Sequence, residues 1–232
     1  MISRLPILAA LALSVPAAAA ERVVGVGSFT RLRVQGGFDV RVAPGSPRVT
    51  ISGDREAIEA VDAHVENDAL VLRRTVSGSW SERPVDARRT PVAVTITTPS
   101  LTNVALIGGA RVAVARMAGP RVDLAVTGTG SVAVAASQAD QVDVRIVGSG
   151  TVAIAGRTAT ARLSTNGPGT IDAASLDAGD VVVRLDGLGT TSARARFTAA
   201  ITNTGLGSVT VAGNARCTVR ADAGGPVECG RR

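Results

Sequence analysis

Apolar and polar positions alternate through most of this chain, and the alternation returns on a fixed period. A Gly-x-Gly pattern recurs at Gly128-Thr129-Gly130, Gly148-Ser149-Gly150, Gly167-Pro168-Gly169, Gly187-Leu188-Gly189 and Gly205-Leu206-Gly207. Gly108-Gly109-Ala110 opens the series and Ala223-Gly224-Gly225 closes it, both in degenerate form. Successive starts lie 20, 20, 19, 20, 18 and 18 residues apart. That spacing is too regular for chance and too short for helical repeats. Each unit carries a period-two strand on either side of its glycines. Val122, Leu124 and Val126 come before one corner, and Val142, Val144 and Ile146 before the next; Val132 and Val134, then Val152 and Ile154, come after them. Their alternating partners are polar or small, so one face of each strand points inward and the other outward.

Two short strands per repeat, small inward residues and glycine corners predict an all-β, single-stranded parallel β-helix of about seven coils of 18–20 residues. The coils stack about 4.8 Å apart. The hand is expected to be right, as it is for nearly all crossovers between parallel strands. A meander sandwich is the weaker alternative, because hairpins rarely keep one spacing over six steps.

In register, the repeats form columns. The residues just after the corners, Ser131, Thr151, Thr170, Thr190 and Ser208, would make a hydroxyl ladder. That ladder is either a ligand-binding strip or a set of hydroxyls serving backbone groups at turns. A second column holds Arg145, Arg184 and Arg220, alternating with Ser164 and Thr202. A third stacks Asp123 on Asp143, with Arg162 next, and predicts ion pairs between coils.

Residues 29–97 are rich in strand patterns but lie outside the period. Gly36-Gly37 and Pro44-Gly45 read as turns, and residues 76–91 as a loop. One helix is expected, with Asp54 as its N-cap and Ala57, Ile58, Val61 and Val65 as its apolar stripe. The segment is expected to cap the first coil and cover an edge that would otherwise pair with other chains.

Residues 1–20 read as a secretory leader. Arg4 is followed by an apolar stretch from Leu5 to Val15, and Ala18-Ala19-Ala20 is a cleavage site leaving Glu21 first. The apolar run is shorter than the roughly 20 residues that span a bilayer. The expected organisation is therefore a leader over 1–20 and one β-solenoid domain over 21–232, divided into a capping part (21–97) and repeat coils (98–232). The mature chain is expected to be soluble, without a transmembrane segment, and periplasmic or secreted. An oxidising compartment permits a disulfide between Cys217 and Cys229. Aligning the last corner on Ala223-Gly224-Gly225 puts both cysteines at inward positions of one terminal coil; the alternative is two buried thiols.

Composition sharpens this picture. Of the 232 residues 45% are apolar, but only 2% are aromatic, which suits a coil too narrow for rings. All 25 basic residues are arginine, and the net charge is only +6. The excess is neither clustered nor interleaved with aromatics, so nucleic-acid binding is not expected.

The order of motifs resembles the auto-transporter adhesin head GIN domain family. The resemblance rests on Phe29-Thr30-Arg31-Leu32-Arg33-Val34 with Gly37-Phe38-Asp39-Val40, then Val49-Thr50-Ile51-Ser52-Gly53-Asp54. Asn67-Asp68-Ala69-Leu70-Val71-Leu72, Val94-Thr95-Ile96-Thr97-Thr98-Pro99-Ser100-Leu101 and the Gly-x-Gly coils follow. It covers nearly the whole mature chain and implies an exported bacterial right-handed parallel β-helix of unestablished biochemical role. Pro168, Leu188 and Leu206 depart from the small residue usual between the family's glycines. The family supplies no catalytic residues.

The chemistry-bearing residues are few. His64 is the single histidine. No second histidine or cysteine lies at zinc-ligand spacing, and no G-x-S-x-G elbow is present. The Gly-x-Gly corners lack the strand–glycine–helix context of a dinucleotide site. No enzyme, cofactor or metal is therefore expected. The leading reading is an adhesin-head-like structural or macromolecule-binding module of the envelope, with a protein or polysaccharide ligand. One alternative is a periplasmic signalling or assembly partner. Another is a β-helix polysaccharide lyase or hydrolase using Asp123, Asp143, Arg145 and Arg162.

Overall fold

The computed structural model of the chain describes residues 20–75 and 92–230. The leader up to residue 19 and the loop read over 76–91 lie outside the described residues. The first part comprises β1 (Ala20–Val24), β2 (Arg31–Gln35), β3 (Phe38–Pro44), β4 (Arg48–Gly53), α1 (Arg55–Glu59), β5 (Val61–Glu66), β6 (Ala69–Arg74) and β7 (Val92–Thr98). The repeats supply β8 (Asn103–Gly108), β9 (Arg111–Val114), β10 (Met117–Gly128), β11 (Ser131–Gly148), β12 (Thr151–Asn166), β13 (Thr170–Asp186) and β14 (Thr190–Asn203). The chain ends with β15 (Ser208–Ala212), β16 (Arg216–Ala221) and β17 (Val227–Gly230).

From β8 to β17 every pairing is parallel, and the strands stack into a β-solenoid of about six turns. The last corner, Ala223-Gly224-Gly225, joins the short strands β16 and β17, which pair in parallel with β14 and β15. Along the strands before each corner the register holds from coil to coil: Val122, Val142, Ala161 and Val181 form one inward column. Val142, Val144, Ile146, Val152 and Ile154 are all buried, as their alternation predicts.

Each coil has a third short side that the two-strand reading lacks. Within β11 the alternation breaks after Val134 and again near Asp140, and the register with β12 shifts between Val134 and Ser137. Met117, Ser137, Gly156 and Leu176 stack along this side. The stretch is only about three residues long, too short to show a period.

The corners explain the glycines. Gly148 has φ +112°, and a Cβ there would lie 2.8 Å from the Gly128 carbonyl oxygen of the coil before. Gly150 is excluded from bearing a side chain by Val126 Cγ1, at 2.5 Å from where its Cβ would be. The first glycine thus supplies a left-handed conformation and the second a close approach. The last full corner has extra help. Buried Asn203 donates from Nδ2 to the Gly207 carbonyl (2.8 Å) and accepts from the Gly205 N–H (3.1 Å).

The N-terminal segment departs most from expectation. β2 and β3 belong to the solenoid: they pair in parallel with β8 and β9, and the Gly36 N–H donates to the Ile107 carbonyl. On their other side they pair, again in parallel, with β6 and β7. The chain therefore lays down its second coil first and then adds an outer one beyond it. Only β1, β4 and β5 are antiparallel, covering the β7 and β6 edges. The helix is a single turn, ending at Glu59. Asp54 occupies the N-cap but makes no side-chain cap bond. Val61 and Val65 sit on β5, not on a helix, because Val61, Ala63 and Val65 alternate with Asp62, His64 and Glu66. Asn67 and Asp68, both at positive φ, then make the two-residue hairpin turn into β6.

The core is one column of side chains down the axis. Phe29 and Phe38 are buried in the N-terminal coils, whereas Phe197 in the repeats stays outside, 63% exposed. Aliphatic residues fill the repeats, with buried hydroxyls of Ser137, Thr165 and Thr191 left without partners.

Candidate functional site

β10, β11, β12 and β13 run side by side after the third side of each coil, and their outward side chains form a flat polar face. Parallel register fixes which residues meet. Asp123, Asp143 and Arg162 stack in one column. Two residues further along, Arg145, Ser164, Arg184, Thr202 and Arg220 stack in the next. A shallow groove of about 620 Å³ lies across this face, lined by Asp123, Asp143, Arg145, Arg162, Ser164 and Arg184 among others.

Asp143 is the groove's best-held charge. Gln141 Nε2 donates to its Oδ2 at 2.6 Å, Arg121 Nε lies 3.3 Å from the same oxygen, and Arg162 reaches Oδ1 only at 3.9 Å. The expected ion pairs between coils are thus present for Asp143. The Asp123 carboxylate makes no hydrogen bond or ion pair among the described residues, although its backbone N–H donates to the Thr102 carbonyl. Partial burial, then repulsion from the Asp143 carboxylate, raises its pKa above the ordinary value, and Arg121 and Arg145 offset only part of this. Arg145, Arg184 and Arg220 have no carboxylate within 4.0 Å among the described residues. By contrast, Arg157 and Arg196 on the third side both pair with Asp177.

The hydroxyl ladder lies on a different side of the coil. Ser131, Thr151, Thr170, Thr190 and Ser208 are in register there, continuing a column that runs through Asp39 and Arg111. They do not serve turn carbonyls as the blander reading expects; the one bond formed is from Ser208 Oγ to Thr190 Oγ1 at 3.3 Å. Strand geometry aims them outward, away from the corner backbone.

His64 sits on β5, far along the chain from the groove residues, with Nδ1 3.2 Å from Asp62 Oδ1. Asp62 is held mainly by the hydrogen bond from Arg73 Nε at 2.8 Å, which lowers its pKa. No group of three or more potential metal ligands occurs among the described residues. Cys217 and Cys229 form a disulfide, with Cα atoms 6.2 Å apart. Cys217 stacks on Ala199 and Cys229 on Val211, both inward positions, so the bond crosses the open end of the core.

Comparison with known proteins now places the chain. The family described as "Putative auto-transporter adhesin, head GIN domain" matches residues 28–215. The chain belongs to this family. Among curated proteins none matches. Among solved structures, an adhesin-like protein from Bacteroides fragilis, described as a putative adhesin, superposes with a TM-score of 0.83 at 19% identity. The match covers 93% of this chain and 98% of that one. A putative adhesin from Parabacteroides merdae gives 0.71 at 18% identity, covering 94% and 97%. A protein from Parabacteroides distasonis described as a putative lipid binding protein gives 0.72 at 14%, covering 94% and 98%. At these identities the GIN fold is what is shared; this chain's groove has to be read from its own residues.

The arginine and aspartate columns were visible in the sequence, because the period sets register. The contribution of Gln141 and Arg121 was not, since both precede the strand's regular alternation. No helix among the described residues is long and apolar enough to cross a membrane.

Proposed function

We propose that this GIN-domain protein is an exported, non-enzymatic binding module of the cell envelope, holding a protein or polysaccharide ligand against the outward face of β10–β13. One observation carries this reading: a rigid stack of coils fixes charged side chains at a regular rise, and two of the arginines so presented, Arg145 and Arg184, have no carboxylate within 4.0 Å among the described residues. A flat, preorganised array of this kind loses little entropy when it binds an extended polymer. The adhesin-like character of the family, and the leader read over residues 1–20, support a location at or beyond the envelope. The two cysteines, joined across the end of the core, fit an oxidising compartment.

The test is retention on envelopes. Labelled mature protein is incubated with isolated envelopes of the source cells, alongside a variant carrying Asp143→Asn, Arg145→Gln and Arg184→Gln. Saturable retention that the variant loses supports the reading; equal retention of the two refutes the role of this face. The one alternative with an observation behind it is a polysaccharide lyase or hydrolase, because Asp123 has a raised pKa in a groove beside arginines. Release of reducing ends from acidic polysaccharides by the wild type, lost in Asp123→Asn, would favour that alternative.

A further inference from the structure

We infer that Ser164 marks an oxyanion-binding site, built from Arg145, Arg162 and Arg184, which takes a sulfate or phosphate group carried on the ligand. The inference rests on the binding role proposed for this face and names the chemistry recognised there. Ser164 lies between Arg145 on β11 and Arg184 on β13 in one ladder. Neighbouring strands are about 4.8 Å apart, so both arginine side chains start one strand away from Ser164. Arg162 is two residues earlier on β12, hence on the same face. Three arginine side chains thus start beside Ser164, and all four residues line the same groove.

The charge balance points to an outside anion. Arg145 and Arg184 have no carboxylate within 4.0 Å among the described residues. Arg162 has only Asp143, at 3.9 Å, and Asp143 is already satisfied by Gln141 and Arg121. Releasing Arg162 therefore strands no carboxylate. Like charges on neighbouring strands repel, and an anion between them removes that repulsion. Guanidinium groups bind oxyanions with two parallel N–H donors each, and the Ser164 hydroxyl adds a donor at the centre. Asp123 and Asp143 on the flank give the site an edge: a neutral or cationic continuation of the ligand fits there, and a second anion does not. Aromatic platforms are lacking in the groove, so recognition here is by charge and hydrogen bonds rather than by stacking on sugar or base rings.

The test uses defined probes on the mature protein. Calorimetry with inorganic sulfate and inorganic phosphate reads the site alone. Surface-immobilised dextran sulfate, with unmodified dextran beside it, reads a sulfated chain, and vesicles containing phosphatidylglycerol read a phosphate on a lipid surface. The expected result is binding to dextran sulfate and not to dextran. Affinity should fall about tenfold for each of Arg145→Gln and Arg184→Gln, as expected for loss of a charge-assisted pair. Arg157→Gln and Arg196→Gln, equally basic but paired with Asp177, should bind as wild type. Ser164→Asp places an internal carboxylate among the three arginines; it should raise the melting temperature and abolish binding. Preference for vesicles over dextran sulfate would assign the phosphate to a lipid headgroup and keep the site. Absence of binding to every anionic probe overturns the inference, as does equal loss in the Arg157 and Arg196 variants. Envelope retention that persists without any anion binding would overturn this inference alone and leave the binding role of the face standing.

Discussion

Replacing Gly148 with alanine tests the stacking principle directly, because Gly36 provides a matched control. The two glycines have nearly the same φ, +112° and +111°. Both would put a Cβ into a left-handed conformation, at a cost of roughly 1–2 kcal/mol. Their surroundings differ. At Gly148 the added carbon falls 2.8 Å from the Gly128 carbonyl oxygen and 3.3 Å from its nitrogen, both backbone atoms held by the coil before. At Gly36 the nearest described atom is Phe38 Cε2 at 3.6 Å, an ordinary contact. Backbone in a stacked coil moves only if the ladder opens, so Gly148→Ala adds an overpacking cost of about 1–3 kcal/mol. Gly36→Ala is expected to lose about 1–2 kcal/mol and Gly148→Ala about twice that. Urea titrations followed by far-UV circular dichroism measure the difference. In a chain of this size about 1 kcal/mol shifts the melting temperature by roughly 2–4 °C, so thermal scans resolve it as well. Equal losses for the two variants would mean that coil contact contributes nothing to the glycine requirement, and the corner argument would fail.

Other outcomes follow from particular contacts. Val144→Asp should destabilise by several kcal/mol, since it buries an unpaired carboxylate, while Arg145→Ala on the outward face should change stability by about 0.5 kcal/mol or less; equal melting temperatures would mean the faces are reversed. Thr165→Val should stabilise by about 1 kcal/mol, because the Thr165 hydroxyl is buried without a partner and valine keeps its shape. Asp123→Asn should stabilise the protein at pH 7: the raised pKa means the ionised form is disfavoured in the fold. Its advantage should shrink as pH falls through the raised value and vanish below the ordinary value of 3.8, where wild-type Asp123 is protonated in both states. A stability difference that grows on acidification would contradict this sign. Removing the bond between Cys217 and Cys229 by a double change to alanine should cost about 3 kcal/mol, read by melting against the wild type under oxidising conditions.

How much of this was legible depends on the length of the pattern. The repeat coils could be read because six steps of 18–20 residues repeat one alternation, and a single period fixes both register and the inward face. The same logic placed Cys217 and Cys229 on the inside of one coil, where the structure joins them. The third side was illegible because three residues show no period. Around residues 57–65 the apolar spacing fits a helix and a strand almost equally well, so a helical stripe was read across Val61 and Val65. The deciding signal was local turn chemistry. Asn67-Asp68 is a hairpin pair, both residues tolerate positive φ, and a hairpin there requires a strand immediately before it.

The order of coils was beyond reach for a different reason. A periodic pattern says which residues stack, but not that the chain returns to add a coil behind the one it has just made. β2 and β3 read as strands outside the series because 72 residues separate each position from its partner on β8 or β9, as in Arg31 with Asn103 and Asp39 with Arg111, whereas every later step is about 20. Yet Gly36 carries the same positive φ as the repeat corners, and its N–H is held by Ile107 of the next coil. A glycine corner flanked by alternating strands was therefore a valid coil signal even without the spacing. The functional face has the opposite character. Its columns were readable from register, but what separates a solvated surface from a binding site is which charges are already paired. That depends on side-chain reach across strands: Arg121 and Gln141 satisfy Asp143, and so Arg145, Arg162 and Arg184 are left with charge to spare around Ser164. Period gives the address of each side chain, while only the three-dimensional contacts give its remaining valence for a ligand.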